Sequence, residues 1–167
     1  MSGDSTSEPP PHGGRIGTVH RSWAADLDPQ TLYALLRLRV DVFVVEQRSA
    51  YAELDGRDLE PKTRHYWLGG PGNPEPVLGY VRLLKEPEGR YRIGRMCIAR
   101  EARGRGLARR LMDAVLAEVG DGECVADAQR YLVEFYAGYG FVPDGEPFDW
   151  DGIEHLPIRR PKRELVP

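Results

Sequence analysis

Apolar positions along the chain change their spacing several times, and each change marks an element. Ile16, Val19 and Trp23 predict a first strand. Asp28 followed by Pro29 is a helix start, with a capping carboxylate and then the fixed φ of proline at the first helical position. Leu32, Leu35, Leu36, Val40, Phe43 and Val44 follow at helical spacing, and the β-branched run at 40–45 blurs the helix end near Glu46. Residues 48–62 are polar and acidic and predict a loop with at most one helical turn. Strands are predicted at 65–68 and 77–85, with a Gly/Pro-rich turn at 69–74 between them. Pro87-Glu88-Gly89 turns the chain again into a strand at 93–99. Leu107, Leu111, Ala114, Val115 and Val119 put an apolar stripe along one face of a helix, which Gly120-Asp121-Gly122 stops. After it come a strand at 123–128, a short helix carrying Leu132, Phe135, Tyr136 and Tyr139 and closed by Gly140, and strands at 141–142 and 153–158. The order βααβββαβαββ predicts an α/β fold with a mixed central sheet flanked by helices. The folded domain is expected over 15–160, between loose tails at 1–14 and 161–167, the first with almost no apolar residue to repay ordering.

Composition narrows the possibilities. A chain of 167 residues with 41% apolar content suits one globular domain. A net charge of −3 argues against a nucleic-acid binder that relies on phosphate contacts. The absence of a long apolar run or a secretory pattern leads to an expectation of a cytoplasmic protein that does not span a membrane. Two cysteines, Cys97 and Cys124, lie in apolar strand-like runs and are expected as buried free thiols. The acidic stretch lacks the EF-hand spacing, and no metal site is predicted.

Candidate chemistry concentrates at the junction between the 93–99 strand and the helix that follows. Arg103-Gly104-Arg105-Gly106-Leu107-Ala108-Arg109 opens that helix, where backbone amides lack partners and the peptide dipoles favour an anion. Glycines let such amides approach an anion closely, and the arginines add charge suited to phosphate oxygens. Arg109 stands where a dinucleotide-binding turn needs its third glycine, and no Walker string occurs in the chain. What Arg103, Gly106 and Ala108 do satisfy is Arg/Gln-x-x-Gly-x-Gly/Ala. With the later string Phe135-Tyr136-x-x-x-Gly140-Phe141, the chain resembles the GNAT superfamily of N-acetyltransferases over about residues 15–159. Residues 39–47, with Asp55, Gly56 and Asp58, are most similar to its ElaA-like branch.

That resemblance implies a GNAT fold in which strands 4 and 5 splay apart to admit acetyl-CoA as co-substrate, without a metal. It assigns the pyrophosphate to Gly104, Arg105, Gly106, Leu107, Ala108 and Arg109, with Arg103 orienting the loop or reaching the nucleotide end. The pantetheine arm falls to the backbone of Met96, Cys97 and Ile98, and to Gln129, which stands where many relatives place an Asn. Tyr136 matches the family's general acid. The base is left open: relatives with a Glu early in strand 5 correspond here to Cys124, and Glu46, Glu53, Asp55, His65 or a water relay are the candidates. Glu123 and Asp127 flank Cys124 but point to the opposite face by strand alternation. The implied activity is acetyl transfer to a primary amine of a small molecule or peptide by direct attack in a ternary complex. A ping-pong route through a cysteine and an acyl-CoA-binding regulatory module without turnover are the alternatives. The acidic stretch from Glu46 to Glu60 suits a cationic acceptor, and a homodimer is consistent with the resemblance.

Overall fold

A computed structural model describes residues 17–70 and 75–164. The tail expected at 1–14, Ile16 of the expected first strand, residues 71–74 of the expected turn and the last three residues lie outside the described residues. The strands are β1 (Val19–Trp23), β2 (Arg64–Gly69), β3 (Val77–Lys85), β4 (Tyr91–Ile98), β5 (Cys124–Gln129), β6 (Val142–Pro143), β7 (Phe148–Trp150) and β8 (Ile153–Arg160). They form a sheet ordered β1-β2-β3-β4-β5-β8-β6, with β7 paired to β8. Every pairing is antiparallel except β4 with β5.

Among the described residues three α-helices accompany the sheet. α1 (Pro29–Val40) starts where Asp28 Oδ1 accepts a hydrogen bond from the Thr31 amide at 2.8 Å. It runs into a π-helical stretch, Asp41–Glu46, over the β-branched residues. The second helix expected before β2 is therefore not a separate α-helix. The acidic stretch contributes only a 3₁₀ turn at Arg57–Leu59. α2 (Leu107–Val119) buries Leu107, Leu111, Val115 and Val119 of the expected stripe together with Met112, leaves Ala114 half-buried, and ends at Gly120 with φ +57°. α3 (Val133–Ala137) follows the 3₁₀ turn Arg130–Leu132 and packs on β5. β7 is an extra strand that the sequence pattern did not predict.

β3 is buried almost throughout, because helices cover both of its faces. At Gly79 one face meets Leu111 of α2, 3.2 Å from where a Cβ would stand. At Tyr80 the opposite face meets α1, with the ring 5.3 Å from the Arg39 guanidinium. Strand register carries these faces across the sheet. His65, Arg82, Gly94 and Arg92 follow the α1 face. Val125, Asp127 and Gln129 share it through the pairing of Arg92 with Val125. Cys124, Ala126 and Ala128 are buried on the other face.

Candidate active site

Among the described residues β4 and β5 stay in register only at Tyr91–Cys124 and Arg92–Val125, where the Tyr91 amide donates to the Glu123 carbonyl at 2.8 Å, and beyond that they diverge. A cavity of about 880 Å³ fills the gap, large enough for an extended ligand arm and a small second molecule. Beside it β4 carries a bulge. Tyr80 pairs with Cys97 and Arg82 with Gly94, so two residues of β4 oppose one of β3. Arg95 within the bulge has φ +56°, a left-handed conformation that costs a non-glycine residue on the order of 1–2 kcal/mol. The predicted pantetheine residues Met96, Cys97 and Ile98 line this cavity.

The helix-opening turn lies at the end of β4. Gly104 and Gly106 both adopt left-handed φ, +77° and +72°. Gly106 is the N-cap of α2 and supplies no side chain, so no side-chain cap closes the first amides. A second, smaller cavity is lined by Gly104, Gly106, Leu107, Ala108 and Arg109. Leu107 is buried, so only its backbone can meet a ligand, whereas Arg105 and Arg109 are exposed. Arg103 is otherwise engaged: its Nε donates to the Ile98 carbonyl at 3.2 Å, and its Nη atoms donate to both Glu46 oxygens at 2.6 and 2.7 Å. Of its two expected roles, this geometry matches orienting the loop. The Arg103 hydrogen bonds also hold the Glu46 carboxyl below its ordinary range. Next to Glu46, Gln47 exchanges side-chain hydrogen bonds of 3.2 and 3.0 Å with Gln129, so Gln129 is tied across the gap.

Tyr136 is 5% exposed, lines the cavity, and packs edge-on against Phe135 and Phe141 at 5.5 and 5.6 Å. Its hydroxyl has no hydrogen-bond partner among the described residues. Burial, and then the nearby Cys124 and Tyr131, push its pKa above the usual phenol value, which keeps the proton on. Both cysteines are free and buried. Burial pushes the Cys97 thiol far up and the Cys124 thiol up to about 12, opposite to what a nucleophilic thiolate needs.

Three of the expected base candidates are corrected by their surroundings. His65 is fully buried on β2, with Nδ1 at 2.7 Å from the Tyr80 hydroxyl and Nε2 at 2.9 Å from the Asp58 carbonyl, and it does not line the cavity. Burial lowers its pKa, so it is held as a neutral structural group. Glu53 is buried against Arg39 Nε at 2.7 Å, the Tyr51 hydroxyl and Arg95. Asp55 takes hydrogen bonds from Arg82 at 2.9 and 2.8 Å and from Arg95 at 3.4 Å. Burial raises the Asp55 pKa, but the Arg82 guanidinium outweighs it and holds the carboxyl well below the usual range. The acidic stretch thus turns inward to neutralise Arg39, Arg82 and Arg95, and these partners in turn fix the bulge.

Sequence reasoning missed the polar end of the cavity. Asp127 faces away from Cys124, as alternation requires, and that opposite face is where the polar groups gather. Arg92 Nε donates to Glu86 at 2.8 Å and its Nη1 to Asp127 at 3.3 Å, while Arg57 Nη1 also donates to Glu86 at 3.0 Å. His155, the β8 partner of Gln129, lines the cavity with Nδ1 2.8 Å from the Ile153 carbonyl. A carbonyl can only accept, so Nδ1 is the donor, and Nε2 has no partner among the described residues. The signal available in the sequence was weak: one histidine in an alternating strand.

Residues 41–161 match the Acetyltransferase (GNAT) domain family. A UPF0039 protein of Mycobacterium tuberculosis is 53% identical over 146 residues, covering 86% of this chain and 92% of that protein. Protein ElaA of Escherichia coli is 36% identical over 142 residues, covering 81% and 91%. The crystal structure of Escherichia coli ElaA is similar with a TM-score of 0.77 at 33% identity, covering 86% of this chain and 98% of that one. An acyl-CoA N-acyltransferase from Pseudomonas aeruginosa is similar with a TM-score of 0.78 at 39% identity, again covering 86% and 98%.

Proposed function

This chain belongs to the GNAT acetyltransferase family, and on that premise we propose that it transfers an acetyl group from acetyl-CoA to a primary amine by direct attack in a ternary complex. The observation that carries this reading is the uncapped opening of α2, set at the mouth of the gap between β4 and β5. Amides there can take the donor's diphosphate. The amide of Gly106 and those of the first helical turn are the donors, with Arg105 and Arg109 beside them. The cavity between the strands accommodates the pantetheine arm along Met96, Cys97 and Ile98.

Acetyl-CoA supplies an activated carbonyl. The amine nitrogen bonds to its carbon, the carbon–sulfur bond breaks, and the proton lost by the amine balances the one gained by the sulfur. An alkyl amine of pKa about 10.4 is neutral only about once in two thousand molecules at pH 7, so a base matters. His155 is the base in this reading: it presents a free Nε2 on the same sheet face as Arg92 and Gln129. Glu46, Asp55 and Glu86 are poorer bases because arginines hold each of them low. Bulge amides unpaired with β3 are available to the developing carbonyl oxyanion. Tyr136 donates a hydrogen bond to the departing sulfur. A complete proton handover from an ordinary phenol to a thiolate costs roughly 2 kcal/mol, and burial of Tyr136 increases that cost. The buried, high-pKa cysteines disfavour a covalent acyl-enzyme.

Initial rates of thiol release from acetyl-CoA, with a panel of amines against a no-amine control, test the proposal. The expected result is amine-dependent release matched by an acetylated product. Saturable CoA binding with no release for any amine would return the chain to a binding module.

A further inference from the structure

The charges lining the cavity argue against the cationic acceptor that the acidic stretch suggests. Glu46, Asp55, Glu86 and Asp127 are the lining carboxylates, and each accepts from an arginine at 3.3 Å or less. Each is therefore already paired with a cation. The lining arginines are Arg57, Arg82, Arg92, Arg95 and Arg103, and Glu60, Asp58 and Glu53 behind the lining take further contacts from Arg57, Arg82 and Arg95.

Donors do remain. Arg92 uses Nε on Glu86 and Nη1 on Asp127, and among the described residues its Nη2 has no partner. Arg95 uses Nη2 on the Glu53 carbonyl and Asp55, and its Nη1 likewise has none. Both guanidinium planes are held by these contacts, so little side-chain freedom is lost on meeting a ligand. Between them Gly94 faces open space, with nothing within 4 Å of where a Cβ would stand. The edge-on pair Tyr51–Trp150, 5.8 Å apart, adds an aromatic wall to the same cavity.

Resting on the acyl-transfer reading above, we propose that the acceptor is an amino carboxylate, whose anion is held by Arg92 with Arg95 while its amine faces the thioester. In the attacking form such a molecule has a neutral amine and a single negative charge, which the unused Arg92 Nη2 and Arg95 Nη1 donors can take. A polyamine in its attacking form keeps positive charge and meets only carboxylates already taken. The aromatic wall takes an apolar substituent on the acceptor.

The test is matched acceptors assayed by thiol release: α-amino acids with apolar side chains, the primary amides of the same acids, and a polyamine. The amide's amine is less basic, so more of it is neutral at pH 7, which biases against the expected result. The prediction is a kcat/KM at least tenfold higher for the acid than for its amide, a gap that Arg92→Gln closes through KM while kcat changes less than threefold. Arg95→Gln gives a second, independent narrowing. Amides or polyamines reacting as well as the acids overturn this inference and leave amine acylation standing. No turnover with any amine overturns both.

Discussion

Replacing Tyr136 by Phe removes one oxygen from the cavity wall and little else. The ring is wedged edge-on between Phe135 and Phe141 and is 5% exposed, contacts that phenylalanine retains. The hydroxyl has no hydrogen-bond partner among the described residues, so its loss orphans no buried group, and stability should shift by no more than about 0.5 kcal/mol. A hydrogen bond to a charged group contributes about 1.5–3 kcal/mol, and here the charge develops only as the sulfur departs. At about 1.4 kcal/mol per decade, kcat should fall roughly 10- to 150-fold. The KM for acetyl-CoA should stay within about twofold, because the lost interaction belongs to the transition state. Urea unfolding and initial rates with saturating donor measure the two halves. A kcat within twofold of the parent, at unchanged stability, refutes the assignment of Tyr136 to the leaving sulfur.

Arg39→Met breaks the buried network while roughly keeping volume, leaving Glu53 and Asp58 short of a cation. A loss of about 3–5 kcal/mol, and a fall in Tm on the order of 10 °C, is expected in thermal and urea unfolding. His155→Ala should lower kcat/KM about a hundredfold with acetyl-CoA affinity preserved, measured by kinetics alongside calorimetry. Asp55, Asp58 and Glu86 all have folded pKa values held below their ordinary ones, so the unfolded chain binds more protons in acid. Their contribution is complete above about pH 4–5 and is lost as pH falls through the lower folded values, so urea midpoints should drop steadily between pH 5 and pH 3.

Some of this was legible because it depends on local spacing. The Asp28 cap, the α2 stripe from Leu107 to Val119 and the glycine-rich opening at 104–106 are short-range features, and the structure has them where periodicity puts them. β7 escaped because two aromatics and one aspartate carry no alternation long enough to register. The acidic stretch was misjudged because a sequence displays charges and not their partners. Arg39, Arg82 and Arg95 reach those carboxylates from α1, β3 and β4. One sign was present: Arg82 interrupts the apolar run of β3, and a charge inside a buried strand requires a countercharge. The bulge at Arg95 was invisible, since arginine carries no preference for a left-handed backbone.

Calorimetric titration of acetyl-CoA against pantetheine and its acetyl thioester tests most directly whether the open amides at 104–109 hold a diphosphate. Saturable one-to-one binding of acetyl-CoA, at least a hundredfold tighter than the forms lacking diphosphate, is the predicted result. Equal affinity for both, or no heat with acetyl-CoA from well-folded protein, would contradict it.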